Sequence, residues 1–182
     1  MSRGDGNRWD ERYAKLGPPP IAAIQLPGVF SGYAPEFPSA GSALDLACGH
    51  GGAAVWLAQR GVDVLGVDVS AVAVAAARDL AQRGRVAQRC RFAVADLDDG
   101  LPPGPAVDAI VCNKFRDSRL YGAIAQRLAP GGLLAIAVLS EVGGDPGPFR
   151  AVGGELRAAF ADLTTIAADE GEGLAWLLGR RA

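Results

Sequence analysis

Apolar and polar positions along the chain follow two regimes that meet near residue 42. The opening "NRWDERYAKL" spaces Trp9 and Tyr13 four residues apart, which places both on one face of a short helix. "GPPP" then stops that helix, because proline lacks an amide donor and disfavours helix in the residue before it. The proline-rich run to Ser42 reads as a long surface loop, and such loops are often lids or binding segments. From Ala43 onward the pattern is regular. Short apolar runs alternate with longer stretches of helical period: "ALDLACG", then "GGAAVWLAQRG" closed by Gly61, then "VDVLGVD". Ser70 is placed to cap the helix "AVAVAAARDLAQRG". "CRFAVAD" and "VDAIVCN" are the third and fourth strands, "SRLYGAIAQRLA" a helix, and "LLAIAVLS" the fifth strand. A helix around "GELRAAFAD" precedes the last two strands, "LTTIAAD" and "GLAWLLGRR".

Strands alternating with helices predict an α/β fold: a doubly wound, mostly parallel seven-stranded sheet with helices on both faces. "EGEG" between the last two strands is too short for a parallel crossover, so they should close the sheet as a C-terminal antiparallel hairpin. The expected division is residues 1–42 as an N-terminal helix and proline-rich lid, and residues 43–182 as a ligand-binding domain.

Composition narrows the function classes. A chain of 182 residues that is 49% hydrophobic suits one domain with a substantial core. A formal charge of −2, without a basic face or tail, does not indicate a nucleic-acid partner. The polar start has no hydrophobic signal core and no apolar run is long enough for a membrane span, so a cytoplasmic location is expected. The 3 cysteines, Cys48, Cys90 and Cys112, form no C-x-x-C pair, and His50 is the lone histidine. They read as reduced, buried thiols, and no metal site is expected. Tyr121, Phe149 and Trp176 read as core aromatics.

The candidate chemistry lies in "LDLACGHGG". In doubly wound sheets ligands bind beyond the carboxyl ends of the strands, and this turn follows such an end. Gly49 and Gly51 lack the Cβ that would hold a ligand off the backbone. Asp45 lies within the first strand, Asp68 ends the second, and Asp96 is expected to end the third. An acid at the second position suits bidentate bonding to ribose hydroxyls, and one at the third suits an adenine amine. Asp45 would repel a pyrophosphate but favours a cationic amino-acid group. The three acids together favour an adenosine ligand with a positive end and no phosphates, a description that fits S-adenosylmethionine.

"LDLACGHG", "VLGVDVS", "VADLDD", "VDAIVCN" and "LAPGGLLAIAVLS" together resemble the successive motifs of class I S-adenosylmethionine-dependent methyltransferases, over roughly Ala43 to Ser140. The opening "NRWDERYA" further resembles small bacterial members of the tellurite-resistance and thiopurine methyltransferase-like groups. The resemblance implies a Rossmann-like methyltransferase fold and a small-molecule methyl acceptor, with S-adenosylhomocysteine as the cofactor product. It also implies residue roles. Ala47, Cys48, Gly49 and Gly51 would line the methionine part, and Asp45 would anchor the turn. Asp68 would hold the ribose, Val69 the adenine face, and Asp96 with Leu97 the adenine edge. Asn113 would sit near the sulfonium. Trp9, Arg12 and Tyr13 would form a flap, with Arg12 near the cofactor carboxylate. Ala47 stands where the family often has glycine, which should be a mild change.

Methyl transfer from a sulfonium needs positioning more than acid–base help, so no catalytic residue is assigned. His50 is read as packing or capping locally rather than as a base. Lys114 or Arg116 in "NKFRD" are placed to recognise an anionic acceptor, or to stand as exposed loop charges. A nicotinamide-dependent oxidoreductase would share the turn and Asp68, with Ala54 at the third position of a G-x-G-x-x-G spacing. A non-catalytic S-adenosylmethionine sensor or scaffold would keep the binding residues without turnover.

Overall fold

The apolar runs become seven strands, and their order decides where a ligand can sit. The computed structural model describes residues 3–182, with side chains from residue 6. Helix α1 (Arg3–Leu16) opens the chain, and two 3-10 segments, Ile21–Ala23 and Gly28–Glu36, follow it. The regular part runs β1 (Ser42–Leu46), α2 (Gly52–Gln59), β2 (Asp63–Asp68), α3 (Ala71–Arg83) and β3 (Cys90–Val94). It continues with β4 (Val107–Asn113), α4 (Tyr121–Arg127), β5 (Leu128–Leu139) and α5 (Glu155–Ala159). The chain closes with β6 (Thr164–Gly171) and β7 (Leu174–Arg180).

The sheet order is β3-β2-β1-β4-β5-β7-β6, and β7 alone runs antiparallel to its neighbours β5 and β6. Only two residues, Glu172 and Gly173, separate β6 from β7, and both have positive φ (52° and 77°). Two-residue hairpins favour that backbone because its twist matches the strands. The order reverses between β1 and β4, and this switch point is where the glycine turn leaves the sheet.

Strand alternation sorts the core. Leu44 and Leu46 of β1 face the layer with Ile110, Ile124 and Phe160, whereas Ala43 faces α2 and α3 with Val55 and Leu80. Ser70 caps α3 as expected, its hydroxyl accepting from the Ala73 N–H at 3.1 Å.

The proline-rich segment is more than a surface loop. Leu26, Phe30 and Phe37 are buried in the same cluster as Ala109, Leu133 and Leu178 of the sheet. Phe30 meets Trp176 of β7 edge-to-face with ring centroids 5.8 Å apart, and Phe37 meets Trp56 of α2 likewise at 5.6 Å. Helices α2 and α3 pack on β1, β2 and β3, so the β5–β7 half of that face is covered instead by the segment around Phe30. Phe149 corrects the sequence reading in the other direction. It is 66% exposed, because "GGDPGPFR" forms turns rather than a periodic element with a buried face. Tyr121 is buried and Trp176 partly so.

Candidate functional site

Three residues of the turn after β1 lie in the left-handed region: Ala47 (φ 51°), Gly49 (51°) and Gly51 (75°). An alanine there crowds its Cβ against the carbonyl at a cost of about 1–2 kcal/mol. Ala47 is therefore a strained position, more than the mild change expected of it. A Cβ on Gly49 would stand 2.7 Å from the Tyr13 hydroxyl, and one on Gly51 would stand 2.8 Å from the Ala77 methyl. One on Gly52 would meet the Ala23 carbonyl at 2.3 Å. These glycines thus admit other parts of the protein: α1, α3 and the proline-rich segment.

Two buried carboxylates hold the turn. The period-two alternation of β1 sets Asp45 on the α2 side, and its Oδ2 accepts from the Ala54 N–H at 3.1 Å. Residue 51 is glycine and supplies no capping side chain, so Asp45 satisfies a free amide at the start of α2 from the strand below. Burial pushes the Asp45 carboxyl up to about 7, with the Asp68 charge adding to the effect and the Ala54 bond opposing it. Asp68 joins two elements: Oδ2 accepts from the Gly49 N–H at 2.8 Å and Oδ1 from the Ser70 N–H at 2.9 Å. Burial raises its pKa too, against those two bonds. Between the acids, Cys48 is held as a thiol by burial and by both negative charges.

Helix α1 lies over this rim. Asp10 accepts from the Ser70 hydroxyl at 2.5 Å and from the Val72 N–H at 3.1 Å, so it docks α1 on the amino end of α3. Trp9, Arg12, Tyr13 and Leu16 share one helical face and line a cavity of about 780 Å³. Small-molecule sites typically run from roughly 300 to 1,000 Å³. Trp9 and Tyr13 lie 6.0 Å apart by ring centroid, and the Arg12 guanidinium sits 5.2 Å from the Trp9 ring. The proline-rich segment roofs the cavity with Gln25, Pro27 and Val29, and β7 contributes Leu174. Local patterning gave no sign of these last four, since each becomes part of the site only through the chain's return over the sheet.

Most of the expected residues meet in this one cavity. Asp45, Ala47, Cys48, Gly49, Asp68, Val69, Leu97 and Asn113 line it together with the α1 residues. Gly51 and Asp96 do not. Strand β3 stops at Val94, and the Asp96 Oδ1 accepts from the Asp98 N–H at 3.0 Å, capping a 3-10 turn. His50 is also outside the lining. Its ring packs tilted against Tyr13 at 4.8 Å between centroids, its Nε2 has no bonding partner among the described residues, and burial lowers its pKa against the pull of Asp68. Lys114 lines the cavity, but Arg116 is committed elsewhere. Its Nε and Nη2 form a bidentate pair with Glu155, both at 2.7 Å, and Tyr121 donates to the same carboxylate at 2.8 Å.

A family model described as a methyltransferase domain matches residues 43–132, the stretch that carries the glycine turn and both buried acids. Residues 43–132 thus carry a methyltransferase domain. The nicotinamide reading falls with that match. In overall shape the chain is similar to TehB from Haemophilus influenzae, with a TM-score of 0.75, 20% identity, and coverage of 86% of this chain and 63% of that one. It is also similar to the geranyl diphosphate C-methyltransferase of Streptomyces coelicolor A3(2), whose structure contains S-adenosyl-L-homocysteine. There the TM-score is 0.70 and identity 16%, covering 97% and 96% of the two chains. An uncharacterised protein of Synechococcus sp. is 35% identical over 107 residues, which are 55% of this chain but 26% of that protein. The chain thus spans about a quarter of that curated relative. Among the described residues no helix is long and apolar enough to cross a membrane.

Proposed function

We propose that this domain transfers a methyl group from S-adenosylmethionine to a small-molecule acceptor. The observation that carries the reading is the pair of buried acids, Asp45 and Asp68, opening on one cavity at the switch point of the sheet. The residues present fit the cofactor. Asp45 keeps Oδ1 free of hydrogen bonds to the described protein and suits an ammonium group, while each Asp68 oxygen has a second lone pair for a ribose hydroxyl. Val69 and Leu97 supply apolar contact for the adenine, and Arg12 a cation for the carboxylate. When bound, the cofactor would supply a sulfonium methyl with a neutral thioether as its leaving group. The chain's part is to hold both partners in line and exclude water. The α1 residues and the likeness to TehB support a place near the tellurite-resistance and thiopurine methyltransferase-like groups.

Thermal unfolding with S-adenosylmethionine, S-adenosylhomocysteine or NAD tests the reading. A ligand at 100 times its Kd stabilises by about 2.7 kcal/mol, which for a domain of this size is roughly 5–10 °C. A shift with NAD alone overturns the proposal.

Asp45 makes cofactor binding depend on pH. A cationic group pairs with the ionised carboxylate, so affinity should fall about tenfold per pH unit below about 7. The ligand-free protein should show the opposite slope. The Asp45 pKa is raised on folding from 3.8 to about 7, so the folded state holds the extra proton. The stability contributed by that protonated carboxyl is present below pH 4 and is lost as pH rises through 7. Calorimetry and unfolding curves from pH 4 to 8.5 check both signs.

We also read α1 as a flap closed by Asp10. Asp10→Ala removes both bonds to α3 and should weaken S-adenosylhomocysteine binding on the order of fivefold, by reducing the closed population. Unchanged affinity in calorimetry would leave α1 as scaffold only.

A further inference from the structure

The cavity follows the carboxyl rim of the sheet from β2 to β7, a span of four strand steps or about 19 Å. Its β2–β1 end is occupied by the carboxylates and the glycine turn. Its far end, beyond Asn113, is lined by Lys114 and Phe115 after β4, by Pro27 and Val29 of the roof, and by Leu174 of β7. Of these five residues Lys114 alone is charged, and it is exposed.

Three observations set this lysine apart from the other basic residues of the loop. It is not a glycine, yet its backbone is left-handed (φ 59°), a conformation that costs an L-residue about 1–2 kcal/mol. Its N–H donates to the Ala137 carbonyl at 2.7 Å, which pins that backbone to β5. Its ammonium has no carboxylate partner among the described residues, whereas Arg116 two positions on is fully engaged by Glu155. Lys114 is exposed at the edge of the cavity, so its ammonium is free to meet an anion whose apolar body the neighbouring apolar side chains accept. We infer that the methyl acceptor is a small apolar molecule bearing an anionic group, held by Lys114 with its body between Phe115, Val29 and Leu174. The inference rests on the methyltransferase reading, and it names the acceptor chemistry of the same cavity.

The test is a binding titration with S-adenosylhomocysteine at saturation, using 2-naphthoate and 2-naphthamide as probes. The two share a ring system and differ in charge. The naphthoate is expected to bind the wild-type protein roughly tenfold tighter than the amide, the scale of one charge-assisted hydrogen bond. Lys114→Met should remove the difference and Lys114→Arg should keep it. Equal affinities, no naphthoate binding to the wild type, or a preference that survives in Lys114→Met overturns the inference. The S-adenosylhomocysteine titration itself separates the two proposals. If that compound fails to bind, the methyltransferase reading falls. If it binds and no anion preference appears, only the acceptor inference falls.

Discussion

Replacing Asp68 by alanine is expected to weaken S-adenosylhomocysteine binding by at least about 100-fold and also to destabilise the ligand-free protein. Two charge-assisted bonds to ribose hydroxyls are at stake, each worth about 1.5–3 kcal/mol, and about 2.7 kcal/mol already amounts to 100-fold. The destabilisation has a separate cause. Asp68 takes the Gly49 and Ser70 amides at 2.8 and 2.9 Å, and both are buried. Losing the carboxylate leaves two N–H groups without a partner, at about 1–3 kcal/mol each. The turn after β1 and the start of α3 would then drift independently. Asp68→Asn separates the two effects: it fills the same space and keeps one acceptor oxygen, but sets an NH2 against one of the amides. It should fold better than the alanine variant and still bind poorly. A folded Asp68→Ala protein with wild-type affinity in calorimetry would remove Asp68 from the cofactor site.

Phe30→Ala is the second large effect, and it acts through the core. The ring is fully buried, packs edge-to-face on Trp176, and belongs to the cluster that joins the proline-rich segment to β4, β5 and β7. Truncating a buried phenylalanine costs about 3–5 kcal/mol, so the midpoint of thermal unfolding should fall by roughly 6–20 °C. A detachable lid would behave otherwise: losing its anchor would free the segment and leave the unfolding of the sheet nearly unchanged. An unfolding midpoint within about 2 °C of wild type, less than the shift expected from 1 kcal/mol, would therefore show the segment to be a lid after all.

The elements that the chain's own pattern predicted are those whose causes are local. Ser70 caps α3 because a hydroxyl three residues from an orphan amide reaches it whatever lies around them. The β6–β7 hairpin follows from a connection too short for any other geometry. Alternation along β1 and the acid at the end of β2 sufficed to bring Asp45 and Asp68 to one rim, because consecutive parallel strands end on the same side of a sheet. Asp96 marks where this reasoning stops. Strand β3 ends two residues short of it, and the Asp96 Oδ1 caps the 3-10 turn that follows.

By itself, the sequence determined the doubly wound sheet, its terminal hairpin, the glycine turn and the two acids beside it. Only the tertiary structure decided that the proline-rich segment completes the core through Phe30, and that Asp10 pins α1 across the rim. The same holds for Asp68 tying the turn to α3, and for Glu155 claiming Arg116 while Lys114 remains open to the cavity. The physical reason is range. Hydrogen-bond ladders, caps and tight turns are set by residues a few positions apart, which the period of the chain reports. The partner of a surface charge or a loop aromatic is chosen among groups tens of residues away, and that choice exists only after the chain has packed.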